Sequence, residues 1–480
     1  MHKVFSTAYI KMWWRKGVIF MFKSIESIHF IGIGGISMSG IAKLLLRQGY
    51  RISGSDLEDS HLLAELRERG ARIYIGHSAA NVGNPDLVVV SSAIPENNPE
   101  LDYAVFKGIP VIKRAEMIAM IMEDKKGIAI SGTHGKTTTT SIVATMLKEG
   151  GFDPTVLVGG ELGTINGNAF LGDGDFMVTE ADESDGSFLY YKPQVVVVTN
   201  IEMDHQDYYD SKNKLLNTFE DFMKNIPEDG ELIACADDDN VYRIINEDDQ
   251  KALTYGIKRG VLRAVSLQLL PFGSIFKLMF NDCIMGEINL QVPGRHNILN
   301  ALAATAVGLY AGMEFSSIKA GIEKYTGVRR RFEKKGLIDK VLVVDDYAHH
   351  PTEIEATLKA AKNTGYERVI AVFQPHRYTR TKHLMKEFSE SFELVDHLIV
   401  TDIYSAGEKE IPGVDARELA KLAAQNLDLK VEFIASLEDI AVYLEKVIRP
   451  KDLVLTIGAG DVYRVGEMFI DRMKKQREMA

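Results

Sequence analysis

From Ile28 onward the chain alternates short apolar runs with stretches of helical periodicity. Such apolar runs are strands buried on both faces, and strands joined by helices pair in parallel. The alternation therefore points to open, parallel α/β sheets. With 480 residues the chain exceeds what one ordinary core supports, so about three domains are expected. No short repeat or low-complexity segment interrupts the pattern, and nothing suggests a solenoid.

The first unit, taken as residues 23–124, opens with strand Ile28–Ile33, a glycine turn and helix Ser37–Arg47. Strands Tyr50–Ser53, Leu87–Val90 and Val111–Ile112 follow. The charged run Glu123-Asp124-Lys125-Lys126 reads as a linker into a second unit, 125–327. There, strand Gly127–Ser131 leads through a glycine loop into helix Thr138–Lys148, and Phe176–Thr179 and Val195–Thr199 are further strands. Between Val261 and Val292 polar and apolar residues alternate, as in a small antiparallel insertion. The third unit, 328–480, has strands Val341–Val344, Val369–Phe373, Leu398–Thr401, Val431–Ile434 and Leu453–Ile457.

Residues 1–22 hold both tryptophans, Trp13 and Trp14, beside Lys11, Arg15 and Lys16. The run Val18–Phe22 is too short to span a bilayer and lacks a signal cleavage site. Residues 1–22 are read as a disordered extension or a misassigned start with Met21 as the real one, and a weak interfacial anchor is the alternative. No long apolar segment occurs elsewhere, so a soluble, cytoplasmic protein without stable membrane insertion is expected. The net charge of −11 argues against a nucleic-acid partner. Two cysteines, Cys235 and Cys283, read as small core hydrophobes in a reducing compartment.

In open α/β sheets ligands bind beyond the carboxyl ends of the strands, and here those loops are polar. The strongest is Gly132-Thr133-His134-Gly135-Lys136-Thr137, between a buried strand and a helix that begins at Thr138. Backbone N–H groups of such a loop and the helix N-terminus together form a phosphate cradle. Lys136 is expected on the β/γ-phosphates, packing against little else, and the Thr137 hydroxyl on Mg²⁺. The strict pattern wants glycine where Ile130 stands. Two acidic loops, Glu180-Ala181-Asp182-Glu183-Ser184-Asp185 and Asn200-Ile201-Glu202-Met203-Asp204-His205, follow the next strands. Glu180 is the expected metal ligand, and most of the other acids are read as solvated surface. His205, a poorer ligand for hard Mg²⁺, suits a second, partly hydrated ion or a supporting place.

The first unit carries Gly32-Ile33-Gly34-Gly35-Ile36-Ser37. As a dinucleotide fingerprint it fails at the third glycine, where Ser37 stands, although Asp56 lies where a ribose-binding acid belongs. Alone this supports either a nucleotide diphosphate or a tight strand–helix crossing. In the third unit Asp346, His349, His376, Arg377 and Arg380 all follow strands, and arginine forks suit carboxylates and phosphates.

Together these segments, with Gly294-Arg295-His296-Asn297-Ile298-Leu299-Asn300 and Arg330-Arg331-Phe332-Glu333, resemble the Mur ligases from about Ile28 to the end. The resemblance implies a Rossmann-like N-terminal nucleotide-sugar domain, a central P-loop ATPase domain and a C-terminal Rossmann-like amino-acid domain. It implies that L-alanine is joined to UDP-N-acetylmuramate at the expense of ATP, with Mg²⁺ or Mn²⁺, in a monomer or weak homodimer. By position, Gly132 to Thr138, Asn297, Asn300, Arg331 and Asp346 would contact ATP, and Thr137, Glu180 and His205 the metals. Gly32, Gly34, Gly35, Ser37, Asp56 and Ser92 would hold the nucleotide sugar, although Ser37 replaces a glycine common in the family. His349, His376, Arg377 and Arg380 would hold the amino acid. The carbamylated lysine of several members has no counterpart, since Tyr190-Tyr191 follow Ser187-Phe188-Leu189.

A member that attaches a whole tripeptide to the same nucleotide sugar is the nearest rival. A nicotinamide dehydrogenase and a P-loop conformational switch stand further off, the first opposed by the P-loop and the missing third glycine.

Overall fold

The computed structural model describes residues 25–162, 167–206, 208–247 and 251–479, so the reading of residues 1–22 lies outside them. Three sheets stand in sequence order. The first is fully parallel, in the order Arg72–Ile75, Arg51–Asp56, Ser27–Ile31, Leu87–Val90, Val111–Lys113. The order in which strands are added reverses between Ser27–Ile31 and Leu87–Val90, so the glycine loop and the loop after Val90 meet there. A β-carbon on Gly32, whose φ is +82°, would lie 3.1 Å from that of Ser91.

The second sheet has ten strands. Strand Lys126–Ser131 sits between Val195–Val198 and Phe176–Glu180, all parallel. Four consecutive valines, Val195–Val198, are fully buried because helices cover both faces. Both acidic loops therefore flank the glycine loop at one sheet edge. The alternating segment forms an antiparallel meander of Leu262–Leu270, Gly273–Phe280 and Cys283–Leu290. It extends the same sheet, since Tyr255 and Gly256 pair in parallel with Leu262 and Arg263. A strand not read from sequence, Thr155–Leu162, pairs with Phe176–Glu180 and carries Gly159. Cys235 is buried, but Cys283, at the head of an edge strand, is exposed, which corrects its reading as a core residue.

The third sheet has the order Glu333–Ile338, Val341–Asp346, Asp452–Ile457, Arg368–Phe373, His397–Val400, Lys430–Phe433, with only the first strand antiparallel. Helix Ile36–Arg47 ties the first sheet to the second: Lys43 Nζ donates to Asn168 Oδ1 at 3.0 Å, and Arg47 donates to the Leu171 carbonyl at 2.9 Å. Arg380 ties the third to the second through Asp204 at 3.1 Å. No helix among the described residues is long and apolar enough to cross a membrane.

Candidate active site

The glycine loop is shaped by its neighbours. A β-carbon on Gly132 (φ +132°) would lie 2.1 Å from Thr199 Oγ1, and one on Gly135 (φ +83°) would lie 2.7 Å from Asn300 Oδ1. Only glycine fits such positive-φ positions under close approach. Thr199 and Asn200 fix the loop further: both side chains donate to the His134 carbonyl, at 2.6 and 3.0 Å. Helix Lys136–Glu149 starts without a side-chain cap, so its first N–H groups face the loop's concavity.

Lys136 differs from its sequence reading. Its ammonium donates to both oxygens of Glu183, at 2.9 and 3.1 Å, and to the carbonyls of Gly132 and Thr133, at 2.5 and 3.1 Å. Glu183 is 1% exposed, not solvated surface. Tyr209 donates to its carbonyl at 2.6 Å and so fixes this turn of the acidic loop. Burial opposes the charge of Lys136, yet Glu183 and Asp182 hold its pKa above the ordinary value.

Glu180 accepts the Gly159 N–H at 2.6 Å and contacts the Thr137 hydroxyl. Burial raises its pKa despite those bonds, so the carboxylate gains from a cation placed beside it. Thr137 and Glu180 offer hard oxygen donors, which fit Mg²⁺. His205, held at φ +51°, lies 3.7 Å from Asp204 and faces the same space.

A cleft of about 650 Å³ joins all three sheets. It takes Ser37 from the first, Lys136, Thr137 and Glu180 from the second, and Arg331 and His349 from the third. Gly32, Gly34, Gly35 and Ser92 lie on the loops above the first sheet and Asp56 ends one of its strands, all outside the cleft's lining. Asp56 shapes the glycine loop, accepting the Gly34 N–H at 2.8 Å. Ser92 is exposed.

A second cavity, about 260 Å³, opens beside the glycine loop and brings together Asn297, Asn300, Arg331 and Asp346 with Thr138. Asn300 donates to Asn297, and Asn297 to the Pro293 carbonyl, which orients both amides. Asp346 accepts the N–H groups of Phe332 and Ala348, but burial still raises its pKa to about 6. Arg331 lies over the Tyr347 ring and 3.9 Å from Glu353.

His349, His376, Arg377 and Arg380 also converge. The His349 and His376 rings are 5.9 Å apart, and Arg380 reaches His376 Nδ1 at 3.2 Å. Burial lowers the pKa of His349 to about 4 and of His376 to about 3, so both are neutral at pH 7. The fork of Arg380 is engaged by Asp204, whereas Arg377 is 39% exposed and only approaches Glu408, at 4.0 Å. Both arginines line one small pocket with His205.

Sequence reasoning passed over Glu353 and Glu202. His134 donates to both, at 3.2 Å from Nδ1 and 3.0 Å from Nε2. Burial opposes its charge, but the two carboxylates raise its pKa to about 9. Glu353 lies one turn beyond His349 on helix Pro351–Lys362, and that spacing was the available signal.

Three α/β sheets that share one cleft define a multidomain ligase architecture, and the chain belongs to the Mur ligase family. Residues 27–126 match the Mur ligase family catalytic domain, 130–308 the Mur ligase middle domain, and 330–460 the Mur ligase glutamate ligase domain. The UDP-N-acetylmuramate–L-alanine ligase of Geotalea uraniireducens is 47% identical over 95% of this chain and 99% of its own length. That of Geobacter sp. strain M21 is also 47% identical, over 95% of this chain and all of its own. The crystal structure of UDP-N-acetylmuramate-alanine ligase from Thermotoga maritima superposes with a TM-score of 0.80 at 30% identity, covering 94% of this chain and 99% of that one. A murein peptide ligase from Psychrobacter arcticus shares the fold, with a TM-score of 0.69 at 24% identity over 93% and 98% of the two chains.

Proposed function

We propose that this chain joins L-alanine to the carboxylate of UDP-N-acetylmuramate at the expense of ATP, in the cytoplasmic synthesis of peptidoglycan precursors. The observation that carries the reading is the single cleft, where a phosphate cradle, a paired lysine and an arginine-bearing pocket converge from three domains, taken as residues 23–124, 125–327 and 328–480. The near full-length identity to alanine-adding relatives supports the choice of amino acid. The protein would act as a monomer or weak homodimer.

A carboxylate and an amine do not condense in water, so the carboxylate must be activated. Its oxygen attacks the γ-phosphorus of ATP; ADP leaves and an acyl phosphate forms. The neutral alanine amine then attacks the acyl carbon, and inorganic phosphate leaves with the C–O electron pair and takes up the proton that the nitrogen gives up. Lys136 turns from Glu183 toward the transferring phosphoryl group and neutralises charge developing there. Mg²⁺, or Mn²⁺, would be held by Thr137 and Glu180 with His205 at a second position, and supplies further neutralisation of phosphate charge. Gly132 to Thr138 cradle the triphosphate, Asn297 and Asn300 hold adenine, and Arg331 and Asp346 reach ATP from the third domain. Gly32, Gly34, Gly35, Ser37, Asp56 and Ser92 serve the nucleotide sugar. Arg377 takes the alanine carboxylate, with Arg380, His349 and His376 around it. The neutral imidazoles add no repulsion to the amino group. Closure of the domains excludes water from the acyl phosphate.

Phosphate release measured with Mg²⁺ and ATP should require UDP-N-acetylmuramate and L-alanine together. Release supported by a tripeptide acceptor in place of alanine would favour the recycling reaction, and release with neither substrate would indicate a nucleotide switch.

A further inference from the structure

Where helix Pro351–Lys362 of the third sheet meets the central sheet, His134, Glu202 and His350 form a cluster that the ligation chemistry does not use as such. One ligand-type atom from each lies within 4.8 Å of the other two. His134 Nε2 is 3.0 Å from Glu202 Oε2, and His350 Nδ1 is 3.9 Å from the same oxygen. A tetrahedral ion with bonds of about 2.0–2.1 Å sets its ligands about 3.3 Å apart, so these separations bracket what an ion needs. His350 is the telling member. It is 3% exposed, yet neither ring nitrogen has a hydrogen-bond partner. A buried imidazole of that kind is costly unless something satisfies it.

The surroundings are also those of a built site. Metal-ligating imidazoles usually donate their other N–H to a carboxylate, which fixes ring orientation and raises basicity. Here Glu353 sits 3.2 Å from His134 Nδ1, and the Thr352 hydroxyl donates to Glu202 Oε1 at 2.7 Å, leaving Oε2 for the ion. Two imidazoles and one carboxylate suit a borderline divalent ion rather than Mg²⁺.

We propose that His134 Nε2, Glu202 Oε2 and His350 Nδ1 form a binding site for a divalent transition-metal ion of the Zn²⁺ class, at the joint between the central and C-terminal domains. The ion takes the place of the proton that His134 shares with Glu202, and His134 keeps its Nδ1 proton on Glu353. Because the ligands come from both domains, the bound ion pins the two together. The site is separate from the Thr137–Glu180 position and does not depend on which amino acid is ligated.

The test is Zn²⁺ binding to the full-length protein without nucleotide, in competition with a chromophoric chelator. One Zn²⁺ per chain is expected, with a raised melting temperature. His350→Gln and Glu202→Gln should each weaken binding by about 100-fold or more, and Glu180→Gln should leave it unchanged. If one of the first two variants fails to fold, the other decides. On the unmodified protein, Co²⁺ should give visible bands of a tetrahedral nitrogen–oxygen site without a thiolate charge-transfer band. Absence of binding, an affinity in both variants equal to that of the unmodified protein, loss of binding in Glu180→Gln, or a thiolate band from Cys235 or Cys283 would each overturn the proposal.

Discussion

Lys136 of the phosphate loop is ion-paired with Glu183, at 2.9 Å, inside the protein and on the same sheet edge where triphosphate would bind. The pair joins stability to catalysis. Lys136→Ala removes the charge that would stabilise phosphoryl transfer, and it also strands a buried carboxylate. Turnover should fall by at least about 10²-fold. Stability should fall by about 3–5 kcal/mol, less whatever Glu183 recovers by taking up a proton. The double variant Lys136→Ala/Glu183→Gln should regain most of the stability and none of the activity. Thermal denaturation and phosphate release on the same preparations measure both, and near-normal turnover in folded Lys136→Ala would remove the lysine from the mechanism.

Glu180→Gln takes one anion from the oxygen donors beside Thr137. The Mg²⁺ concentration giving half-maximal activity should rise by about 10-fold or more, because a neutral amide is a weaker ligand for a hard ion. An unchanged Mg²⁺ titration would transfer the role to Asp182 or Glu183.

The extent to which the site was legible depends on where its determinants lie. The glycine loop and the valine strand Val195–Val198 could be read because each is set by neighbours in sequence. Strand Thr155–Leu162 could not, since Gly159 and Gly160 break its apolar pattern. Glu183 was indistinguishable from the other acids of its loop. It is buried on Lys136 in a turn whose carbonyl is held by Tyr209, a partner that no local periodicity encodes. His134 belongs to the phosphate loop, but its carboxylate partner Glu353 is on a helix of the third unit, and only the docked domains bring the two within 3.2 Å. Cys283 is exposed because it opens the edge strand of the antiparallel insertion, with no strand on its outer side among the described residues, and its apolar neighbours do not reveal that.

His134 makes the docking of the third sheet on the second dependent on pH. Its pKa in the fold, about 9, exceeds the ordinary 6.5. Its contribution is therefore full below about pH 6.5 and is lost as pH rises through about 9. The shift corresponds to at most about 3 kcal/mol. In metal-free protein, kept so by a chelator, the stability difference between the unmodified sequence and His134→Asn should stay constant below pH 6.5 and shrink steadily toward pH 9.5. A difference that is flat across this range would show that His134 is not an imidazolium clamped between Glu202 and Glu353.

The amino-acid pocket gives the sharpest kinetic prediction, because its two arginines are differently engaged. Arg380 already spends its fork on Asp204, 3.1 Å away, and on His376. Arg377 has only a distant approach to Glu408, so its guanidinium keeps donors for an incoming carboxylate. A methyl side chain offers little to grip, and most affinity for alanine should come from that carboxylate. Arg377→Lys keeps the charge but loses the planar two-donor geometry. The KM for alanine should rise by about 10-fold or more, as expected for the loss of about 1.4 kcal/mol of charge-assisted bonding. The KM values for ATP and UDP-N-acetylmuramate should change by less than about 2-fold, since the triphosphate cradle is built by other residues. Arg380→Lys should behave differently: by loosening the tie to Asp204 it should lower the melting temperature and raise more than one KM. All three substrates varied independently in both variants separate the cases. A rise in the ATP constant with an unchanged alanine constant in Arg377→Lys would move Arg377 to the phosphate site.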